Sequence, residues 1–484
     1  MAFPYGTALL AIPVAGAVVT AAIPARKAPQ VRAVAIGASL VTFVLSIALL
    51  ADFDKATAGY QFVESKVWIK SLGIRYLMGI DGISLFMVVL TGLLFPIALL
   101  ASNKIEKKVN AYFALMLTLE AALMGIFLSV DLCLFFVFWE AMLVPMYFLI
   151  GTWGYDRRIY AALKFFIYTA AGSALLLLGI LSLAALHAGA TDTGLTFDLR
   201  TLIEWDGLNA NTARWLFLAF GASFAIKVPL FPQASVDFAP LMLTLATIGI
   251  LYGAIVAAMQ RDLKKLVAYS SVAHLGFVVL GTFALTTVGI QGGIFTMVSH
   301  GLTTGALFLL VGVLYDRRHT RQIDDFGGVW KSAPKLGGIF LAITFASIGL
   351  PGLSGFVGEF LSLIGTFVVH RPYAILSAAG VILAAVYMLW GFQRVFTGEP
   401  TGENATFADL NRVELATLLP LVGLSLFLGL FPKPLLERVE PSVKALIAHV
   451  ESRSDHKSPK VAELGPEGAA ESPSSSSSSE GGHD

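Results

Sequence analysis

The chain of 484 residues is 56% hydrophobic and 13% charged, with a formal net charge of +1 and a mean hydropathy of +0.78. Apolar runs of about twenty residues recur along most of its length, the signature of a polytopic membrane protein whose spans are helices, because lipid offers an open backbone no partner. The charge balance gives no reason for a nucleic-acid partner, and the single cysteine, Cys133, excludes a cysteine-ligated iron–sulfur cluster and an internal disulfide.

The N-terminus has no early basic patch or small-residue cleavage site and reads as a first helix rather than a signal peptide. Crossings one and two are expected over 9–23 and 34–50, joined by a connection that includes Arg26 and Lys27. A polar stretch, 52–81, follows, with Trp68 and Tyr76 as interface anchors. Crossing three covers 83–100, a basic loop spans 104–108, and crossing four, 111–130, carries Glu120, an acid that packing alone can keep neutral. Crossing five, 132–153, contains one acidic or basic side chain, Glu140, near mid-depth where a charge is costly. We read Glu140 as an ion site, against the alternative of a protonated carboxyl held by a neighbouring helix.

A basic turn, 155–158, leads to crossing six, 165–187, and the polar stretch 188–214 to crossing seven, 215–231. Crossing seven carries Lys227 directly before Val228-Pro229, where a proline breaks the helix and frees carbonyls to line a hydrated cavity; the alternative is a lysine that snorkels to the interface. Further crossings are expected over 239–259, 266–285 and 288–314, with His274 and His300 in apolar surroundings, as relay groups or as packed, hydrogen-bonded residues. The segment 336–369 is too long for one straight span, is interrupted at 349–355, and carries Glu359 just beyond; the alternative there is a capped helix start with Ser354 as N-cap. Crossings over 374–390 and 415–431 complete an expected thirteen, and the serine-rich chain from 452 cannot bury a core and is expected to be disordered. His449, His456 and His483 are too scattered for a metal site.

Two broken helices in separate halves, one with lysine and one with glutamate, match the pattern of inverted-repeat transporters. An ammonium and a carboxylate brought together in low dielectric hold each other charged, and separated each is pushed toward neutrality, which suits proton movement. No Walker-type loop or G-x-G-x-x-G helix start points to phosphoryl or hydride transfer. The expected organisation is 1–110 N-terminal helices, 111–232 a first repeat truncated at its end, 233–397 a second inverted repeat, 398–451 a C-terminal helix region and 452–484 a polar tail.

Loop charge bears on orientation, since short loops rich in lysine and arginine stay cytoplasmic. The loops after crossings one, three and five share a side and are basic; counting thirteen full crossings onward would leave Arg261, Lys264, Lys265, Arg317, Arg318 and Arg321 on the opposite side. We therefore expect either a second half inserted against its charge bias or one segment that fails to span, for instance by re-entry near Pro229–Pro232.

The stretches FFVFWEAMLVPMYFLIGTWG, FAIKVPLFP, AYSSVAHLGFV, SHGLTTGALFLLVG and GLPGLSGFVGEF resemble the antiporter-like subunits of respiratory complex I, NADH:quinone oxidoreductase, and Met-Leu-Val-Pro-Met-Tyr after Glu140 resembles the M-type chains among them. The resemblance covers about 8–436 and implies an all-α fold of two inverted repeats forming one proton channel. It implies roles in proton translocation for Glu140, Lys227, His274, His300 and Glu359, and no catalytic, cofactor-binding or metal site in this chain. NADH, flavin, iron–sulfur clusters and quinone are then expected in other subunits, neighbouring antiporter-like chains and the lipid bilayer as partners, and a bacterial plasma membrane rather than a mitochondrial inner membrane as the location. One departure stands out: Phe231-Pro232 runs straight into Gln233-Ala234-Ser235, where the family has a turn and a further helix carrying a central lysine. The alternatives are a cation/proton antiporter subunit of the multi-subunit sodium type, and a structural membrane subunit whose channel does not work.

Overall fold

In a computed structural model, the structure describes residues 3–155, 157–223, 231–400 and 402–459. Helices α1 (Tyr5–Ala22) and α2 (Ala28–Asp52) are followed by a hairpin of strands β1 (Gln61–Ile69) and β2 (Ile74–Ile80). Then come α3 (Gly82–Ala101), α4 (Val109–Leu128), α5 (Leu132–Trp153), α6 (Arg158–Thr191), the short α7 (Leu199–Glu204) and α8 (Ala210–Ser223). The second half holds α9 (Pro232–Ala258), α10 (Leu263–Phe283), α11 (Thr287–Arg318), the one-turn α12 (Val329–Ser332), α13 (Pro334–Ser347), α14 (Ser354–Val369), α15 (Arg371–Phe396), α16 (Arg412–Leu430) and α17 (Lys433–Ser452). Eleven of the described helices are long and apolar enough to cross a membrane; α13 and α14 are shorter and lie in series.

Side-chain caps set several of the helix starts. Asp81 and Ser84 form a capping box at α3, Asn411 and Glu414 another at α16. Asp131 accepts from the backbone N–H groups of Cys133 and Leu134 at the start of α5, at 2.9 and 3.0 Å, and from that of Arg75 on β2 at 3.0 Å, so one carboxylate ties the hairpin to the helix.

Contacts between loops sort the helix ends onto two faces. On the basic face, Lys104 pairs with Asp316 at 2.6 Å, Arg321 lies over the Tyr155 ring at 4.7 Å and pairs with Asp262 at 3.4 Å, and Arg317 forks onto Glu414 at 3.1 and 2.7 Å. The loop after α3, the turn after α5 and the basic loops of the second half therefore share one side. The opposite, hairpin face carries β1, β2, α7 and α17, with Lys55 paired to Glu437 at 2.9 Å and Arg453 donating to the carbonyl of Ile203 at 3.0 Å.

Helix α8 does not carry the chain across. Leu208 and Ala213, at its start, line the same cavity as Phe231, Pro232 and Gln233, together with Trp205 and Arg453 of the hairpin face. Arg214 on α8 pairs with Asp237 on α9 at 2.7 Å, and the Phe217 and Phe238 rings stack at 5.1 Å. The chain that leaves the hairpin face at 210 is thus back on it when α9 begins. Of the expected crossing over 215–231, residues 224–230 lie outside the described residues; its described part does not reach the basic side, and the described helices give eleven spans with the shorter α13 and α14 in place of the expected thirteen crossings. Both halves keep their basic loops on one side, as the positive-inside bias favours.

The polar connection 52–81 holds a β-hairpin that its residues gave no sign of. The C-terminal region ends in an amphipathic helix, α17, whose Leu435, Val439, Val443 and Ile447 are buried at a four-residue spacing while Lys433 stays exposed. The chain from 453 to 458, expected to be loose, docks: besides Arg453, His456 Nε2 bonds the Leu285 carbonyl at 2.9 Å. The rest of the expected tail, 460–484, lies outside the described residues.

Single cysteines at Lys108 and Arg318, with Cys133 replaced, should label from the same side of sealed vesicles, and one at Lys66 from the other; opposite labelling of 108 and 318 would contradict the two-face arrangement. Removal of 460–484 should leave assembly on native gels unchanged, whereas removal of 453–484, which takes Arg453 and His456, should weaken it; equal behaviour would mean these docking contacts do not hold the region.

Candidate functional site

The crossing near the end of the chain is broken because its sequence cannot stay helical there. Gly349 and Gly352 take φ of +76° and +92°, a region that costs other residues strain, and Pro351 between them has no N–H to donate. Beyond the break, α14 packs tightly on α11: a Cβ at Gly358 would lie 2.5 Å from Thr296 Oγ1. That close approach sets the next residue, Glu359, inside the bundle against α10 and α11.

There Glu359 Oε1 meets His274 Nδ1 at 2.6 Å, with both side chains about 95% buried (5% and 4% exposed). The ring of His300 lies 5.7 Å from that of His274, centroid to centroid. Tyr387, fully buried on α15, and Ser347, at the end of α13, approach His274 Nε2 at 3.5 and 3.4 Å, and Thr304 approaches His300 at 3.1 Å. A small cavity with room for about one water is lined by both histidines, Glu359, Thr296, Ser299, Thr303 and Ser347. Ser299 in turn meets Ser354 at 2.8 Å, and Ser354 meets Ser425 at 2.8 Å.

His274 and Glu359 in such contact hold one proton between their facing atoms, on Nδ1 or on Oε1, and each meets a partner. That solution avoids an isolated charge in low dielectric. Chemically the arrangement can hold a proton, with a second imidazole beside it; among the described residues no group of three or more histidine, cysteine, aspartate or glutamate side chains is placed to hold a metal ion.

Of the five residues singled out in the sequence, the structure gathers His274, His300 and Glu359. Glu140 stands apart on α5. It falls on the same helical stripe as Val137, Val144 and Phe148, which are 40%, 53% and 49% exposed, and its Oε1 is buried without a hydrogen-bond partner. Among the described residues no hydrogen bond or ion pair joins it to the His274–Glu359 pair. Lys227 lies outside the described residues. Glu120 is fully buried and accepts from Ser39 Oγ at 2.9 Å. Ser354 does not cap α14; the N-cap residue is Leu353, without a side-chain bond, and the serine hydroxyl points to α11 and α16 instead. Tyr387, Ser347, Ser299 and Ser425 were missed in the sequence. Their only signal there is a hydroxyl in an apolar run, a feature most often spent on a backbone carbonyl of the same helix.

The profile of the family described as "NADH:quinone oxidoreductase/Mrp antiporter, TM" matches residues 129–235 and 230–386, and that of "NADH-ubiquinone oxidoreductase chain 4, amino terminus" matches 56–131. The chain is similar to the NADH-quinone oxidoreductase subunit M of Rhodobacter capsulatus, at 40% identity over 488 residues, covering 90% of this chain and 95% of that one. An alignment longer than the whole chain that takes in nine-tenths of it leaves part of the relative without a counterpart here, and the antiporter profile itself matches in two pieces that meet at 230–235. Among solved structures, a chain of respiratory complex I from Thermus thermophilus superposes with a TM-score of 0.84 at 29% identity, covering 92% of this chain and 99% of that one. A chain of the Mrp complex from Dietzia sp. superposes with a TM-score of 0.76 over the same shares, at 20% identity, a likeness of fold alone.

Glu359→Ala leaves the His274 Nδ1 atom buried without its partner, a loss of about 1–3 kcal/mol. The purified protein in detergent should therefore unfold at a lower temperature, and Glu359→Gln, which keeps a hydrogen-bonding group at that place, should unfold closer to wild type. Equal midpoints for wild type and the alanine variant would mean the contact does not hold the fold.

Proposed function

Since the chain belongs to the subunit M (chain 4) family of NADH:quinone oxidoreductase, we propose that its proton-translocating work is centred on the buried His274–Glu359 pair, with His300 as the next acceptor. As a family member it is a proton-translocating membrane subunit of complex I. The observation that carries the site assignment is the 2.6 Å contact of two buried titratable groups that line a water-sized cavity, next to a broken helix.

In this reading the pair takes a proton, shares it between Nδ1 and Oε1, and passes it through the cavity to His300 or back. Uptake and release are set by whether the break at 349–353 and the helices around it admit water. Glu140 is the protonatable group of the first half, its unpartnered oxygen suited to a partner that approaches and withdraws; Lys227, by resemblance, is that partner. The organisation into two inverted repeats, with α13 and α14 as the broken helix of the second, accords with the antiporter profile matched over 129–386. Redox cofactors and quinone belong to other subunits, neighbouring membrane chains flank this one, and the bacterial relatives favour a bacterial plasma membrane.

A second reading has three observations in its favour. The relative carries sequence without a counterpart here, the profile match is interrupted at 230–235, and α8 and α9 both start on the hairpin face. Together these support the loss of one family crossing after Pro232 and a first half whose path does not reach the second. The chain would then serve mainly as a structural link in the membrane arm.

In sealed membrane vesicles, His274→Ala, Glu359→Gln, Glu140→Gln and Lys227→Ala should each lower NADH-driven acidification while assembly and uncoupled NADH oxidation persist. Acidification lowered by the first two variants alone favours the second reading for the first half. Normal acidification in Glu359→Gln would remove the assignment of the pair.

A further inference from the structure

We infer that Ser299, Ser354 and Ser425 form a hydroxyl relay that carries protons between the His274–Glu359–His300 cavity and the hairpin-side end of α16. The inference rests on the reading of that cavity as the proton site. The three serines come from three helices, α11, α14 and α16, and are 3%, 0% and 1% exposed. Their oxygens are 2.8 and 2.8 Å apart in series, the ordinary O–H···O separation. Ser299 lines the cavity with both histidines and Glu359, so the series begins at titratable groups.

Hydroxyls between membrane helices commonly serve as glue, and several buried ones here are spent locally. Thr303 donates to the Ser299 carbonyl at 3.0 Å, Thr296 to that of Gly292 at 2.9 Å and Thr366 to that of Ser362 at 2.8 Å, each back along its own helix. The three serines differ: their hydroxyls bond one another. Ser354, freed from capping because Leu353 holds the N-cap position, sits in the middle with its hydroxyl oxygen 2.8 Å from each neighbour's. The series also leads somewhere. Ser425 lies one turn before Gly429, where a Cβ would come within 2.4 Å of the Gly352 carbonyl, so the relay ends against the backbone of the break and close to Leu430, the last residue of α16 before α17 on the hairpin face. Carbonyls at a helix break can hold water where a continuous helix cannot.

A proton entering from the cavity binds a lone pair of the Ser299 oxygen while that hydroxyl releases its own proton to Ser354, which does the same to Ser425, and Ser425 releases its own proton to water held at the carbonyls of the break. Each serine ends neutral with its O–H turned over, and rotation of the three hydroxyls resets the series. Nothing is consumed besides the transferred proton, and the path runs equally in reverse.

The test uses the assembled complex in sealed vesicles and reads protons moved per NADH oxidised, beside assembly on native gels and uncoupled NADH oxidation. Ser354→Ala and Ser425→Ala should each lose as large a share of that ratio as Glu359→Gln, with assembly intact, and Ser425→Thr, which restores a hydroxyl, should recover it. If Ser354→Ala fails to assemble, Ser425→Ala against Ser425→Thr decides the matter. A wild-type ratio in Ser425→Ala alongside a lowered ratio in Glu359→Gln overturns the relay and leaves the site standing. A wild-type ratio in Glu359→Gln overturns the site, and the relay with it. Equal loss in Ser425→Ala and Ser425→Thr marks packing rather than a relay and also overturns it.

Discussion

A carboxyl and an imidazole held at 2.6 Å inside an apolar bundle are the constraint around which this chain is built. Neither group is stable there alone: a lone carboxylate has no counter-charge and a lone imidazolium no acceptor. Each therefore needs the other at hydrogen-bond distance, which means that α10 and α14 must meet closely and at fixed register. The glycines and proline that break the preceding helix permit this. They let α14 start afresh at an angle α13 does not dictate, and Gly358 lets it lie against α11. A continuous helix through 334–369 would carry Glu359 on a face set by Pro334, with no freedom to aim it.

The same logic separates the surroundings of the two acids. Helices α10 and α11, which flank Glu359, are 61% buried over an apolar stretch of eighteen residues, whereas α5, which carries Glu140, is 22% buried. In the second half a broken helix lies against the titratable pair and closes it off. In the first half α8 enters from the hairpin face and α9 starts from that same face, and Glu140 is left with an unpartnered oxygen on an exposed stripe. One acid has its partner within the described residues; the other has a buried oxygen without a hydrogen-bond partner.

Much of this was legible beforehand, for reasons that can be named. Long apolar runs are read directly as helices, and His274, His300 and Glu359 stood out because charge and imidazole are rare in such runs. The charge of the loops was informative to a finer degree: it left either a second half inserted against its bias or one segment that fails to span, and the shared face of the starts of α8 and α9 favours the second. The hairpin was not legible, and α17 only as part of a C-terminal helix region, because both lie outside the apolar runs, where the chain is paired by backbone bonds and by contacts between residues far apart, such as Lys55 with Glu437. Tyr387 and the serines around the pair were hidden for a different reason. Nothing in an apolar helix distinguishes a hydroxyl bonded to its own carbonyls from one that faces a neighbouring helix.

The central claim is that His274 and Glu359 act as one proton-holding unit. A double-mutant cycle tests it most directly, with His274→Ala, Glu359→Gln and the two combined, each read as protons moved per NADH by the assembled complex in sealed vesicles. The account predicts that the combined variant is no worse than the more impaired single variant, since removing either partner already dissolves the unit. Independent, multiplying losses would contradict it.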